Sequence, residues 1–135
     1  MADVISKDLA ESEFSRFGEQ MGLDFEEEYM SAEDFLKFTQ HKSIITRAIC
    51  RGHLVVDEKG RPIYTPVRVS DAKPVTFYEL SGADIASIDS KNVDHSYSRV
   101  LALLAGATRE QIKLFSAMKR ADLKVCESII NLFMA

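Results

Sequence analysis

No tryptophan occurs in this chain, and its only cysteines, Cys50 and Cys126, stand far apart. The N-terminal stretch MADVISKDLAESEF has neither a basic n-region nor an apolar h-region, so no secretory signal is expected. Without export, reduced thiols are the expected state. The longest apolar run, VLALLAGA at 100–107, is too short to span a bilayer. A soluble, cytoplasmic chain with no membrane partner is therefore expected. A Walker loop, a dinucleotide-binding glycine pattern and a GxSxG elbow are all missing.

Candidates for chemistry are equally sparse. Cys50 lies three residues before His53, but Gly52 is expected to end the helix between them, which separates thiol and imidazole. Cys126 sits in an apolar stripe and reads as a core thiol. His41 and His95 have no second ligand at metal-binding spacing. Asp24, Glu26, Glu27 and Glu28 lack the alternating ligands and central glycine of a calcium loop. They read as a solvated helix face. No catalytic residue, metal or cofactor is expected, and the protein is read as non-enzymatic.

With 135 residues the chain has the size of a single domain. Its net charge of −4 hides an asymmetry. Residues 1–40 sum to −8, residues 41–73 to +4, and the remainder to zero. An acidic head beside a basic middle can pair within one chain or between neighbouring copies, or can simply be solvated. The acidic total argues against a nucleic-acid partner.

Helical periodicity dominates on both sides of a proline-containing centre. Phe14, Phe17 and Met21 share one face, on a helix that Gly18 and Gly22 should keep short or frayed. Ser31 and Asp34 form a start signal for a helix with Phe35, Phe38, Ile45 and Ile49 on one face, interrupted at His41 and Lys42 and stopping at Gly52. All three prolines lie between positions 62 and 74. There HLVVD and PIYTPVRV, separated by EKG, predict a hairpin whose second run Pro62 and Pro66 demote to an edge strand or an irregular extended stretch. VTFYEL is a third extended candidate, with Val75, Phe77 and Glu79 on one side and Thr76, Tyr78 and Leu80 on the other.

Three further start signals follow. Ser81 with Asp84 opens GADIASID, Thr108 with Gln111 opens REQIKLFSAMKR, and Asp122 caps the last helix. Val93, Tyr97, Val100, Leu101 and Leu104 form a stripe ending at Gly106. Ile112, Phe115 and Met118 form another, and Val125, Cys126, Ile129, Ile130 and Phe133 a third. The expected fold is a mainly α, single small domain: N-terminal helices over 1–52, a β-hairpin or extended arm over 53–80, and a C-terminal helical unit over 81–135.

The order of features across residues 50–133 resembles the tail assembly chaperones of long-tailed bacteriophages. The matching stretches are LVVDEKGRPIYTP, PVTFYELSGADIASID, YSRVLALLAGAT and REQIKLFSAMKRADLKVCESIINLF. Residues 1–49 carry no part of the likeness. It implies a non-enzymatic chaperone that binds the tape-measure protein, recruits tail-tube subunits, and oligomerises into rings or spirals in the host cytoplasm. Such proteins are absent from the mature virion, and this chain would be the short form of a frameshifted pair. On that view residues 53–80 are an arm joining neighbouring copies. Tyr64, Phe77 and Tyr78 are candidate contacts, on a backbone stiffened by proline, with simple core packing the alternative and favoured reading for each aromatic. Phe115 and Phe133 are candidates for core and tape-measure groove. The rival classes are a helix-turn-helix transcriptional regulator using Lys113, Lys119, Arg120 and Lys124, and an unrelated cytoplasmic adaptor.

Overall fold

A computed structural model describes residues 3–69, 71–90 and 96–134. Among them are six α-helices: α1 (Lys7–Gln20), α2 (Ala32–Cys50), α3 (Gly82–Ser90), α4 (Ser96–Thr108), α5 (Ile112–Ser116) and α6 (Arg120–Phe133). Three short strands lie between α2 and α3: β1 (Leu54–Val56), β2 (Pro62–Tyr64) and β3 (Val75–Thr76). The mainly α fold with a small central β excursion is thus the observed one. Val93 and His95 lie outside the described residues.

Helix α2 is the hub. It packs against α1 on one side and α6 on the other, while α4 packs on α5 and α6. Phe38, Ile45, Ala48 and Ile49 of α2 are buried, and so are Phe14 and Phe17 of α1 and Cys126, Ile129 and Ile130 of α6. One hydrophobic cluster joins these to Leu54, Tyr64, Val75 and Phe77 of the β segment and to Leu104 and Phe115. Residues from the N-terminal, central and C-terminal segments share a single core.

Helix starts follow local chemistry in three places, the first being Ser6, whose hydroxyl accepts from the Leu9 N–H at 3.2 Å to open α1. The Ser31 hydroxyl accepts from the Asp34 N–H, 3.1 Å. Ser81 and Asp84 form a reciprocal box, with bonds of 3.1 and 2.9 Å. Elsewhere the local signals mislead. Thr108 does not cap α5. It is buried at the end of α4, its hydroxyl donating to the Leu104 carbonyl at 2.6 Å, and Arg109 then takes a left-handed φ of 60°. Residues 25–29 are not an α-helix face but a 3-10 turn at Glu27–Tyr29.

Nor does Gly18 fray α1. It is buried, and a Cβ there would lie 2.3 Å from the Phe25 ring. That ring stacks on Phe14 with centroids 4.9 Å apart. Gly18 is therefore a contact surface for an aromatic side chain rather than a helix end.

α2 runs unbroken past His41 and Lys42, and the interruption of its apolar face is where it turns toward another element. His41 faces α6, its Nδ1 3.3 Å from the Ser128 hydroxyl. Burial holds its pKa below the usual 6.5. An imidazole that protonates more readily unfolded than folded costs stability as pH falls through that window. The urea midpoint is expected to drop between pH 7.5 and 5.5, and His41→Gln should flatten that slope. An unchanged slope in the variant would remove His41 as the cause.

The sheet order is β1-β2-β3, all antiparallel. This corrects the edge expectation, because β2 is the centre strand. Proline is tolerated there because it opens a three-residue strand and acts only as an acceptor: the Phe77 N–H donates to the Pro62 carbonyl, 2.8 Å. The turn between β1 and β2 abuts α1. Gly60 has φ +82°, and a Cβ there would meet Gln20 Cβ at 2.4 Å. Arg16 of α1 donates to the Val56 and Asp57 carbonyls, 2.7 and 2.5 Å, which pins the hairpin to the helix.

Candidate functional site

The proline segment leaves the sheet at Tyr64 and crosses the start of α6, where one carboxylate holds it. α6 begins after Lys119, so Asp122 lies inside its first turn rather than at its cap. Asp122 is fully buried. Its Oδ1 accepts from the Tyr64 hydroxyl at 2.6 Å and from the Val67 N–H at 2.7 Å. Its Oδ2 accepts from the Arg68 N–H at 3.0 Å. A helix N-terminus favours a negative side chain, and both oxygens are satisfied, so burial is tolerated. Burial, then the Asp122 bond, pushes the Tyr64 phenol's pKa up, so it stays a donor.

Two surfaces flank this clamp. The first is a groove of about 740 Å³ between the arm and α5. Its walls include Pro66, Val69, Pro74, Leu114 and Met118, and Lys73, Arg109 and Lys113 stand around it. Leu114 and Val69 are exposed, as is Ile112 on the same short helix. Asp71 and Glu110 line it too, so the groove is apolar within and carries charges of both signs at its rim.

The second is a smaller cavity of about 320 Å³ on the other side of the arm. Arg47 and Arg51 reach it from the end of α2, Arg68 from the arm and Lys124 from α6. The ion pairs found among the described residues are Arg16–Glu13 and Lys37–Glu33, so none of these four cations has a carboxylate partner there. Asp122 lies beneath them with its oxygens already engaged. Ile44, Val67 and Val125 give the cavity apolar walls.

The five aromatic candidates separate by burial. Tyr64 and Phe77 are core residues, at 2% and 0% exposure, so for these two the core-packing alternative holds and the arm-contact reading does not. The physical reason is that Tyr64 points inward from β2, where its hydroxyl donates to Asp122, and the Phe77 ring packs against Phe133. Tyr78 is half-buried, its ring flanked by the Arg61 and Arg109 guanidinium groups at 4.9 and 4.0 Å. Phe115 is fully buried. Phe133 is partly buried against Phe17 and Phe77. None of the five is an open contact on the folded chain.

Cys126 is fully buried, and burial foremost raises its pKa, which makes it a poor nucleophile. Among the described residues no group of three or more His, Cys, Asp or Glu side chains is placed to hold a metal, and no helix is long and apolar enough to cross a membrane. The basic cavity escaped sequence reading because its four cations come from three separate elements. The only hint was the positive sum over residues 41–73. Comparison with family models, with curated proteins and with solved structures finds no match.

Proposed function

We propose that this protein is a non-enzymatic tail assembly chaperone, which oligomerises and keeps a long tape-measure protein soluble while tail-tube subunits are recruited. The likeness across residues 50–133 suggests the class. The observation that carries the reading in the fold is the groove between arm and α5, apolar within, with exposed Leu114 and Val69 in its walls and charges of both signs around it. Such a surface suits an amphipathic segment that lays its apolar face into the groove.

A helix-turn-helix regulator is less well supported. α5 has five residues and buries Phe115. α6 packs on α2 and α4 and exposes Lys124 beside Asn131, with Glu127 half-buried between them.

Co-expression with the tape-measure protein tests the proposal. The partner should be recovered soluble only when this chain is present. The pair Ile112→Glu and Leu114→Glu should lower the soluble yield several-fold with the same thermal midpoint, since exposed substitutions shift stability by only about 0.5 kcal/mol. Equal solubility with and without this chain would rule the reading out.

A further inference from the structure

The four unpaired cations of the smaller cavity and the unpaired acids of the N-terminal head sit at opposite ends of one rod. α2 has 19 residues, a length of about 28 Å. The turn Asp24–Tyr29 precedes its N-terminus, and Arg47 and Arg51 mark its last turn. Glu26, Glu27 and Glu28 are exposed, and Tyr29, at 76% exposure, is the most exposed large apolar side chain among the described residues. A helix dipole would favour acids at one end of α2 and bases at the other. It accounts for Arg47 and Arg51. It does not account for Arg68 and Lys124, which come from the arm and from α6 to the same cavity.

We infer that the acidic turn of one copy docks into the basic cavity of the next, with Glu27 and Glu28 facing Arg47, Arg51, Arg68 and Lys124, and the Tyr29 ring entering between Ile44, Val67 and Val125. The charges are too far apart along a rigid helix to meet within one chain, so their complement is another chain. A contact between two different surfaces is heterologous, and repeats into a ring or an open filament. The cavity, about 320 Å³, is at the small end of binding pockets and suits one aromatic side chain with its flanking carboxylates. Exposed charge makes the contact weaken as salt rises. A nucleic-acid phosphate is the less favoured occupant, since the acidic head, −8 over residues 1–40, would oppose it.

The inference rests on the self-association part of the proposed function, but it is tested without any tape-measure protein. Sedimentation velocity at 50 and 500 mM NaCl, over a hundredfold range of concentration, should show wild-type assemblies that shrink at high salt. Glu27→Lys with Glu28→Lys, and separately Arg47→Gln with Arg51→Gln, should each be monomeric at low salt with wild-type helical circular dichroism. Each variant keeps one intact surface, so mixing them should restore a one-to-one dimer and nothing larger. A wild type that is monomeric throughout would overturn the inference, as would variants that assemble like wild type or a mixture that stays monomeric. A monomeric wild type that binds a short single-stranded oligonucleotide, with binding lost in Arg47→Gln and Arg51→Gln, would reassign the cavity to phosphate. Tape-measure solubilisation by a monomeric wild type would leave the chaperone reading standing while this one fails.

Discussion

Asp122→Ala is expected to cost about 3–5 kcal/mol, an effect of the size seen when one partner of a buried charged network is removed. The Tyr64 hydroxyl and the Val67 and Arg68 amides would lose their acceptor together. Bonds to a charged group contribute about 1.5–3 kcal/mol each and do not add fully within one network. For a domain of this size the thermal midpoint should fall by about 10–20 °C. Had Asp122 been only a helix cap, the loss would be about 1 kcal/mol, and the two roles are separated by that difference. Asp122→Asn should fall between wild type and Asp122→Ala, since an amide nitrogen cannot accept from the Arg68 N–H that faces Oδ2. Tyr64→Phe removes a single bond and should cost least. Thermal melts of the three variants check this order. Equal, small shifts would mean that the arm is not held by this carboxylate.

What the sequence could and could not disclose follows from the range of each interaction. Ser31 and Ser81 were readable because a capping bond spans three residues, so donor and acceptor are visible together. Asp122 was misplaced for the opposite reason. Its partners lie 54 to 58 positions upstream, and an Asp near a helix start looks alike whether it caps the backbone or clamps a distant strand. Propensity alone marks Gly18 as a weakness, because it counts only what a helix loses. The Phe25 ring that occupies the space of its missing Cβ is a tertiary gain. The missing donor of Pro62 points to an edge strand or an irregular stretch. The structure places it mid-sheet because β2 uses its carbonyl and is too short to need every amide. Helix stripes survived in their centres, since one buried face fixes the register of several residues at once: Phe14 with Phe17, Phe38 with Ile45 and Ile49, Cys126 with Ile129 and Ile130, while Phe35, Tyr97 and Ile112 near helix starts are exposed. The basic cavity had no comparable signature, as no local pattern brings Arg47, Arg68 and Lys124 together.

Phe77→Ala is expected to lose about 3–5 kcal/mol, the range for truncating a fully buried phenylalanine. Phe77 stands at the end of β3 with no exposure, and its ring meets Phe133 edge-on at 6.4 Å. Phe133 in turn touches Phe17 at 5.9 Å, so one row of rings ties the sheet through α6 to α1. An alanine would leave a cavity where three elements converge, and rings fixed by other contacts cannot collapse into it. Its neighbour provides the contrast. Tyr78 is half-buried between Arg61 and Arg109, contacts of about 0.5–1 kcal/mol each near a surface. Tyr78→Ala also keeps the backbone bond from its N–H to the Ala107 carbonyl, 2.7 Å, and should cost about 1–2 kcal/mol. Thermal melts should therefore place the Phe77 variant about 10 °C or more below wild type, with the Tyr78 variant much closer to it. An interface role for Phe77 requires the reverse pattern, an unchanged melt with weakened assembly, because a side chain waiting for a neighbour contributes nothing to the isolated fold. The arm can still serve assembly on this account, but through Arg68 and Val67 on its outer surface, while Tyr64 and Phe77 hold it in place from within.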